Sequence, residues 1–261
     1  MKKKNLYKLA ILGIFVSFSF SACNGDDEEN NAPIGANVFT GKRLSKIIKD
    51  EKRGWFFQFV YDENKRLIKF TEYYKGYIND GYQYLLAYEG KKVTISAYRG
   101  TQKTTFLLNN TNYAISCNGS HNLTFEYNAE GHLIGYGNWK LECKNGNVIR
   151  ASMKDSSYNG SSPISYTYDE HLNINGIIPF ENYWLTLYDG IKDEGAQSYS
   201  QTRWDYDDYD LLFVAYYAGI LGKPTKNVAK SASPKSSYEI QPSYDEEGNV
   251  TKYEGSIYEY E

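Results

Sequence analysis

The sequence has no run of the roughly 20 apolar residues that a membrane-spanning helix needs. Its apolar segment near the start, Leu9–Phe20, stops well short of that. Cysteine and histidine are scarce, at three each. No HExxH pair, GxSxG elbow or P-loop accompanies them, and His121, His132 and His171 sit beside turns or alternating strands, as surface histidines do. Basic residues do not outnumber acidic ones, at 29 against 32, so the electrostatic footprint of a nucleic-acid binder is missing. These absences lead to the expectation of a protein that is not an enzyme and uses no metal or cofactor. A cluster of acids, Asp205, Asp207, Asp208 and Asp210, lacks the glycine and distal glutamate of a calcium loop and suits a helix N-terminus instead.

What the chain does have begins at its start. Lys2, Lys3, Lys4 and Lys8 precede the apolar run, as in a secretory leader, and "SAC" follows it. The segment resembles a bacterial lipobox, which implies a leader over residues 1–22 and lipidation of Cys23. Acyl chains contribute about 0.8 kcal/mol per buried CH₂, so several together anchor stably. Residues 23–37, with Asp26, Asp27, Glu28 and Glu29 followed by small polar residues, read as a flexible tether. The acids resemble the export signal of Bacteroides-type surface lipoproteins. That resemblance implies an outer-membrane, lipid-anchored and surface-exposed protein.

Residues 38–261 read as an antiparallel β domain. There are 27 Tyr, 12 Phe and 4 Trp, a bias toward residues that suit pleated, half-buried surfaces. "NLTFEYN" alternates with Leu123, Phe125 and Tyr127 on one face, and "WFFQFVYD" places Trp55, Phe57, Phe59 and Tyr61 together. A tyrosine or other anchor followed by a polar turn recurs at Tyr61, Tyr88, Tyr127, Cys143, Tyr168 and Tyr244. Each is a hairpin signal, since Asp or Asn bonds its own backbone and Gly131, Gly146 and Gly248 supply positive φ. The spacing of these signals is irregular, so the chain is a meander of hairpins rather than a solenoid. The expected fold is all-β, a barrel or strongly curved sheet. One helix is expected near 208–221, where Leu211, Leu212, Ala215 and Tyr216 recur at helical spacing before "GKP", placed to plug or cap one end. Cys117 and Cys143 remain as an even pair in an oxidising compartment, and a disulfide between them is expected.

The leader and tether, "RLSKIIKD" leading into "FVYDENKRLIKF", "FEYNAEGHLIGY", "FVAYYAGILGKPTKN" and the closing "YDEEGNVTKYEGSIYEYE" together resemble Bacteroides-type lipoproteins with a porin-like β fold. The resemblance carries over no functional residues. With no catalytic signature, the functional expectation is a non-enzymatic binding module for an extracellular ligand such as glycan. The candidate binding aromatics are Trp55, Tyr183, Trp184 and Tyr188. The alternative is a structural or assembly partner of another envelope protein.

Overall fold

The structure is a computed structural model that describes residues 33–35, 38–75, 77–97, 103–119, 122–154, 163–178, 207–233 and 239–261. The leader, Cys23 and the acids behind it lie outside these residues. So do Tyr183, Trp184, Tyr188, Asp205 and His121, and the side chains of Asp207, Asp208 and Asp210.

Among the described residues the chain forms sixteen strands and one helix. The first eight strands are β1 (Leu44–Asp50), β2 (Trp55–Tyr61), β3 (Leu67–Tyr74), β4 (Tyr77–Glu89), β5 (Lys92–Ala97), β6 (Lys103–Leu108), β7 (Ala114–Asn118) and β8 (Leu123–Tyr127). Next come β9 (Leu133–Tyr136), β10 (Trp139–Lys144), β11 (Asn147–Met153) and β12 (Ile164–Leu172), then the helix α1 (Asp207–Tyr217). The last strands are β13 (Asn227–Ser233), β14 (Ser243–Tyr244), β15 (Val250–Tyr253) and β16 (Ser256–Tyr260). All lie in one antiparallel sheet. Strands β1 to β13 pair in sequence, while β16 returns to β1 and carries β15 and β14 beyond it.

The sheet is curved but not closed, because its edges β13 and β14 share no ladder. Side chains and loop backbone bridge them instead. Tyr253 donates its hydroxyl to the Ala229 carbonyl at 2.9 Å, Tyr244 donates to Asp169 at 2.6 Å, and Ile240 N–H meets the Lys230 carbonyl at 2.7 Å. Lys230 also pairs with Glu239 at 2.7 Å. Of the two expected architectures, the strongly curved sheet is the one that forms.

One pole carries tight turns built by the expected chemistry. Asp62, Asn109, Asn128 and Asp245 each turn a carboxylate or amide oxygen onto backbone N–H groups two or four residues ahead. Gly131 and Gly248 sit at φ 89° and 83°, and Lys65 takes φ 61° in the corresponding turn where no glycine is present. Three tyrosines that precede turns have a role that the pattern did not reveal. Tyr61, Tyr88 and Tyr127 donate to the carbonyls of Leu44, Leu67 and Ala114, at the start of the neighbouring strand, at 2.7–3.0 Å. Tyr168 and Tyr260 do the same to Val148 and Val250.

The signal at Tyr168 is not a hairpin. β12 runs on to Leu172, and residues 173–178 cross the turn pole, where the buried Asn173 and Asn175 pin them. Asn175 donates to the Lys42 carbonyl at 3.0 Å and to Asn249 Oδ1 at 2.9 Å, and accepts from Val250 N–H at 3.2 Å. Buried polar groups need such partners, and removing one strands the others at about 1–3 kcal/mol. Asn175→Ala is therefore expected to lower unfolding free energy by about that amount in urea titrations. A loss indistinguishable from zero would show that the network does not hold this segment.

The interior is apolar and filled. Residues 211–222 are buried on every side, as expected of a helix that is hydrophobic all round. The helix lies inside the curved sheet, with Phe213 against Phe57, Phe59 and Phe70 at centroid distances of 5.7, 6.4 and 5.8 Å. Its end at Tyr217 comes four residues earlier than the expected boundary, and the chain then laces across the turn pole. Ile220 accepts from Ala114 N–H at 2.8 Å, and Lys223 N–H donates to Gly131 at 2.9 Å.

The outward face runs opposite to that of a lipid-facing wall. Gln58, Lys92, Lys103, Thr124, Glu126, Lys140 and Thr167 are exposed there, whereas a transmembrane barrel turns an apolar band outward and keeps its interior polar.

Cys117 on β7 and Cys143 on β10 do not form the expected disulfide. Two strands separate them, which at about 4.8 Å per strand places their backbones roughly 14 Å apart, beyond a disulfide's reach. Burial pushes the Cys143 thiol up to about 11 and raises that of Cys117. Neither is an activated nucleophile.

Candidate functional site

At the pole opposite the tight turns, the starts of even strands and the ends of odd strands meet. Trp55 opens β2 here, and Glu72 lies near the end of β3. Both face inward, because Phe57 pairs with Glu72 across the ladder and packs edge-on against Trp55 at 6.3 Å. Trp55 Nε1 donates to Glu72 Oε1 at 2.6 Å. Lys49, near the end of β1, sets its ammonium 5.9 Å from the centre of the Trp55 ring.

Burial raises the Glu72 carboxyl above its ordinary range, and the indole hydrogen bond only partly offsets this. An inward carboxylate at the rim of an aromatic core is unusual, since charged groups are rarely buried without strong pairing. Glu72 Oε1 is taken by the indole, and among the described residues no donor meets Oε2, so it can receive a hydroxyl or amine. The site is therefore a half-buried aromatic ring, a desolvated carboxylate and a nearby ammonium on three adjacent strands. It has the chemistry to receive a ligand with a flat apolar face and hydrogen-bonding edges.

Of the four candidate aromatics, Trp55 is described here, and Tyr183, Trp184 and Tyr188 fall outside the described residues. Among the described residues, many tyrosines pack the interior rather than a surface. Tyr84, Tyr136, Tyr166, Tyr216, Tyr217, Tyr253 and Tyr258 are buried in the core.

The described histidines have structural settings. His132 is partly buried, and that burial lowers its pKa. His171 stacks on Tyr244 at 4.1 Å and shares Asp169 with it, bracing the seam. Among the described residues, no three His, Cys, Asp or Glu side chains converge as metal ligands.

A helix-filled, sixteen-stranded antiparallel sheet with an aromatic and acidic rim defines the structural class. The chain belongs to the family described as a domain of unknown function with porin-like fold, DUF4595, which it matches over residues 48–254. A crystal structure of a porin-like protein from Bacteroides uniformis is similar in fold, with TM-score 0.55 at 16% identity, covering 85% of this chain and 100% of that one. No curated protein matches the chain.

Proposed function

We propose that the protein is a lipid-anchored, non-enzymatic binding module of the outer membrane surface, holding a glycan at the pole that carries Trp55 and Glu72. The observation behind this reading is the polarity of the fold. Residues 38–43 enter at the turn pole, where Gly41 N–H bonds to Ile174 O at 2.9 Å and Lys42 pairs with Glu247 at 2.8 Å. A tether that joins there leaves the Trp55 pole at the end of the domain away from the point of attachment. The filled interior favours surface recognition over passage of solutes.

Docking of another envelope protein has less to rest on. The large apolar side chains exposed on the wall, among them Val60, Leu85, Leu107 and Ile115, are interleaved with lysines and threonines rather than forming one broad patch.

A glycan array probed with the full-length protein tests the reading, with each hit followed by titration calorimetry. Trp55→Ala and Glu72→Gln are each expected to weaken binding about tenfold or more, the equivalent of one stacking contact or charged hydrogen bond. Binding is also expected to fall as pH drops through the raised Glu72 pKa, since the carboxylate form accepts the ligand's hydroxyl. Glu72→Gln should remove that dependence. Unchanged affinity in both variants would place the ligand elsewhere, and silence across the array would end the glycan reading. Protease shaving of intact cells tests the location, because a protein degraded only after membrane rupture is not on the surface.

A further inference from the structure

The outer face of β1 to β6 carries a second feature, separate from the Trp55 rim. Ladder register aligns its outward side chains in transverse rows. One row runs Val60, Lys69, Leu85, Ser96 and Lys103 across β2 to β6, a span of about 19 Å at the usual strand spacing. A neighbouring row begins with Lys46 and Gln58 and continues into Thr71 and Gln83, which are buried and bonded to each other at 3.3 Å, so that its accessible part ends at Gln58, and a third places Lys92 beside Leu107 and Ser116.

Between Lys46 and the loop pole, the Phe56 and Tyr73 rings stack at 4.4 Å and 13°, with the Lys46 ammonium 4.7 Å from the Phe56 ring centre. Among the described residues, Glu89, at the end of β4 and opposite Lys92 in the ladder, is the outward carboxylate on these six strands, while Asp50 lies opposite the inward Trp55 and pairs with Arg53. On the adjoining β16, Glu259 lies 3.8 Å from Lys46. Lys69, Lys92 and Lys103 have no salt-bridge partner within 4 Å among the described residues. A face with four lysines is notable on a chain whose net charge is −3, because its field opposes that of the whole molecule and selects an anionic partner.

We propose that this wall binds an acidic polysaccharide. The lysines would meet carboxylate groups along the polymer, the Gln58 amide and the threonines Thr94 and Thr105 would meet its hydroxyls, and the Phe56 and Tyr73 strip would accept the apolar faces of its sugar rings. The extended row suits a linear polymer better than a compact ligand. The inference does not depend on the Trp55 site.

Affinity electrophoresis of the full-length protein in gels containing polygalacturonate or neutral dextran tests it. Retardation is expected with polygalacturonate only. It should vanish between about 0.1 M and about 1 M salt, as the screening length falls from about 10 to about 3 Å. A chain carrying Lys46→Gln, Lys69→Gln, Lys92→Gln and Lys103→Gln together should bind at least about tenfold more weakly, with an unchanged circular dichroism spectrum. Trp55→Ala should bind as the parent does. Salt dependence of the parent chain is a readout that survives even if the fourfold variant misfolds. Equal retardation by dextran, salt-independent retardation, full binding by a folded fourfold variant, or no retardation would each overturn the proposal. Binding to phosphatidylglycerol vesicles in place of polygalacturonate would do so too.

Discussion

Replacing Phe213 with alanine is expected to cost about 3–5 kcal/mol of folding stability, the range for removing a large aromatic from a packed core. Phe213 sits at the centre of the interior, 3% exposed, with Phe57, Phe59 and Phe70 on the sheet and Tyr217 at 4.9 Å on its own helix. A helix of 11 residues is marginal on its own. Its persistence therefore depends on this packing, and the sheet depends on the helix in return, because among the described residues it is the helix that packs against the inward aromatic side chains. Urea titration gives the loss directly, and Phe213→Leu should cost about 1.5 kcal/mol or less, since it keeps most of the volume. A Phe213→Ala loss below about 1 kcal/mol would fit a helix resting loosely in the interior. It would also remove the argument that the protein is not a conduit.

Much of this architecture is legible in the sequence, and the part that is not has an identifiable cause. Strand faces follow from alternation wherever the ladder is regular. Trp55, Phe57 and Phe59 face inward as their spacing implies, and so do Leu123, Phe125 and Tyr127. Turn positions follow from Asp, Asn and Gly chemistry, which acts within five residues. Glu72 shows where this reading stops. Simple alternation from the inward Leu67 would turn Lys69 and Thr71 inward and send Glu72 out. A register shift where Val60 pairs with Lys69 but Tyr61 pairs with Leu67 resets the parity, so that Phe70 and Glu72 face the core. Nothing local to residues 67–74 announces that irregularity, and the Trp55–Glu72 pair is invisible without it. The helix was recognisable by period and by its acidic start, but its burial on all sides depends on β1 meeting β16, a contact between the two ends of the domain. The disulfide expectation failed for a similar reason, because counting cysteines says nothing about how many strands stand between them.

Gly35→Ala is expected to be the most damaging substitution at the turn pole. Gly35 has φ 73°, where an alanine costs about 1–2 kcal/mol, and a Cβ there would lie 1.9 Å from the Ala218 carbonyl oxygen. That oxygen is backbone and cannot swing aside. Gly219, also at φ 73°, approaches from the other side, and a Cβ on it would come within 2.7 Å of the Gly35 Cα. The two glycines thus let the incoming N-terminal segment cross directly over the end of the plug helix. Phe39 follows, packing its ring at a tilt against Tyr216 and Tyr217 at 5.7 and 6.0 Å. A total loss of about 2–4 kcal/mol is expected, from the backbone conformation plus the displacement the clash forces. Gly90→Ala is the control, since Gly90 has φ 54° but nothing within 4 Å of its Cβ position. It should show the conformational cost alone, about 1–2 kcal/mol. If the two variants unfold at the same urea concentration, the crossing is loose. If Gly35→Ala is much the worse and also speeds hydrogen exchange at Ala218 and Ile220, the segment around Gly35 and the helix that fills the sheet are one mechanical unit.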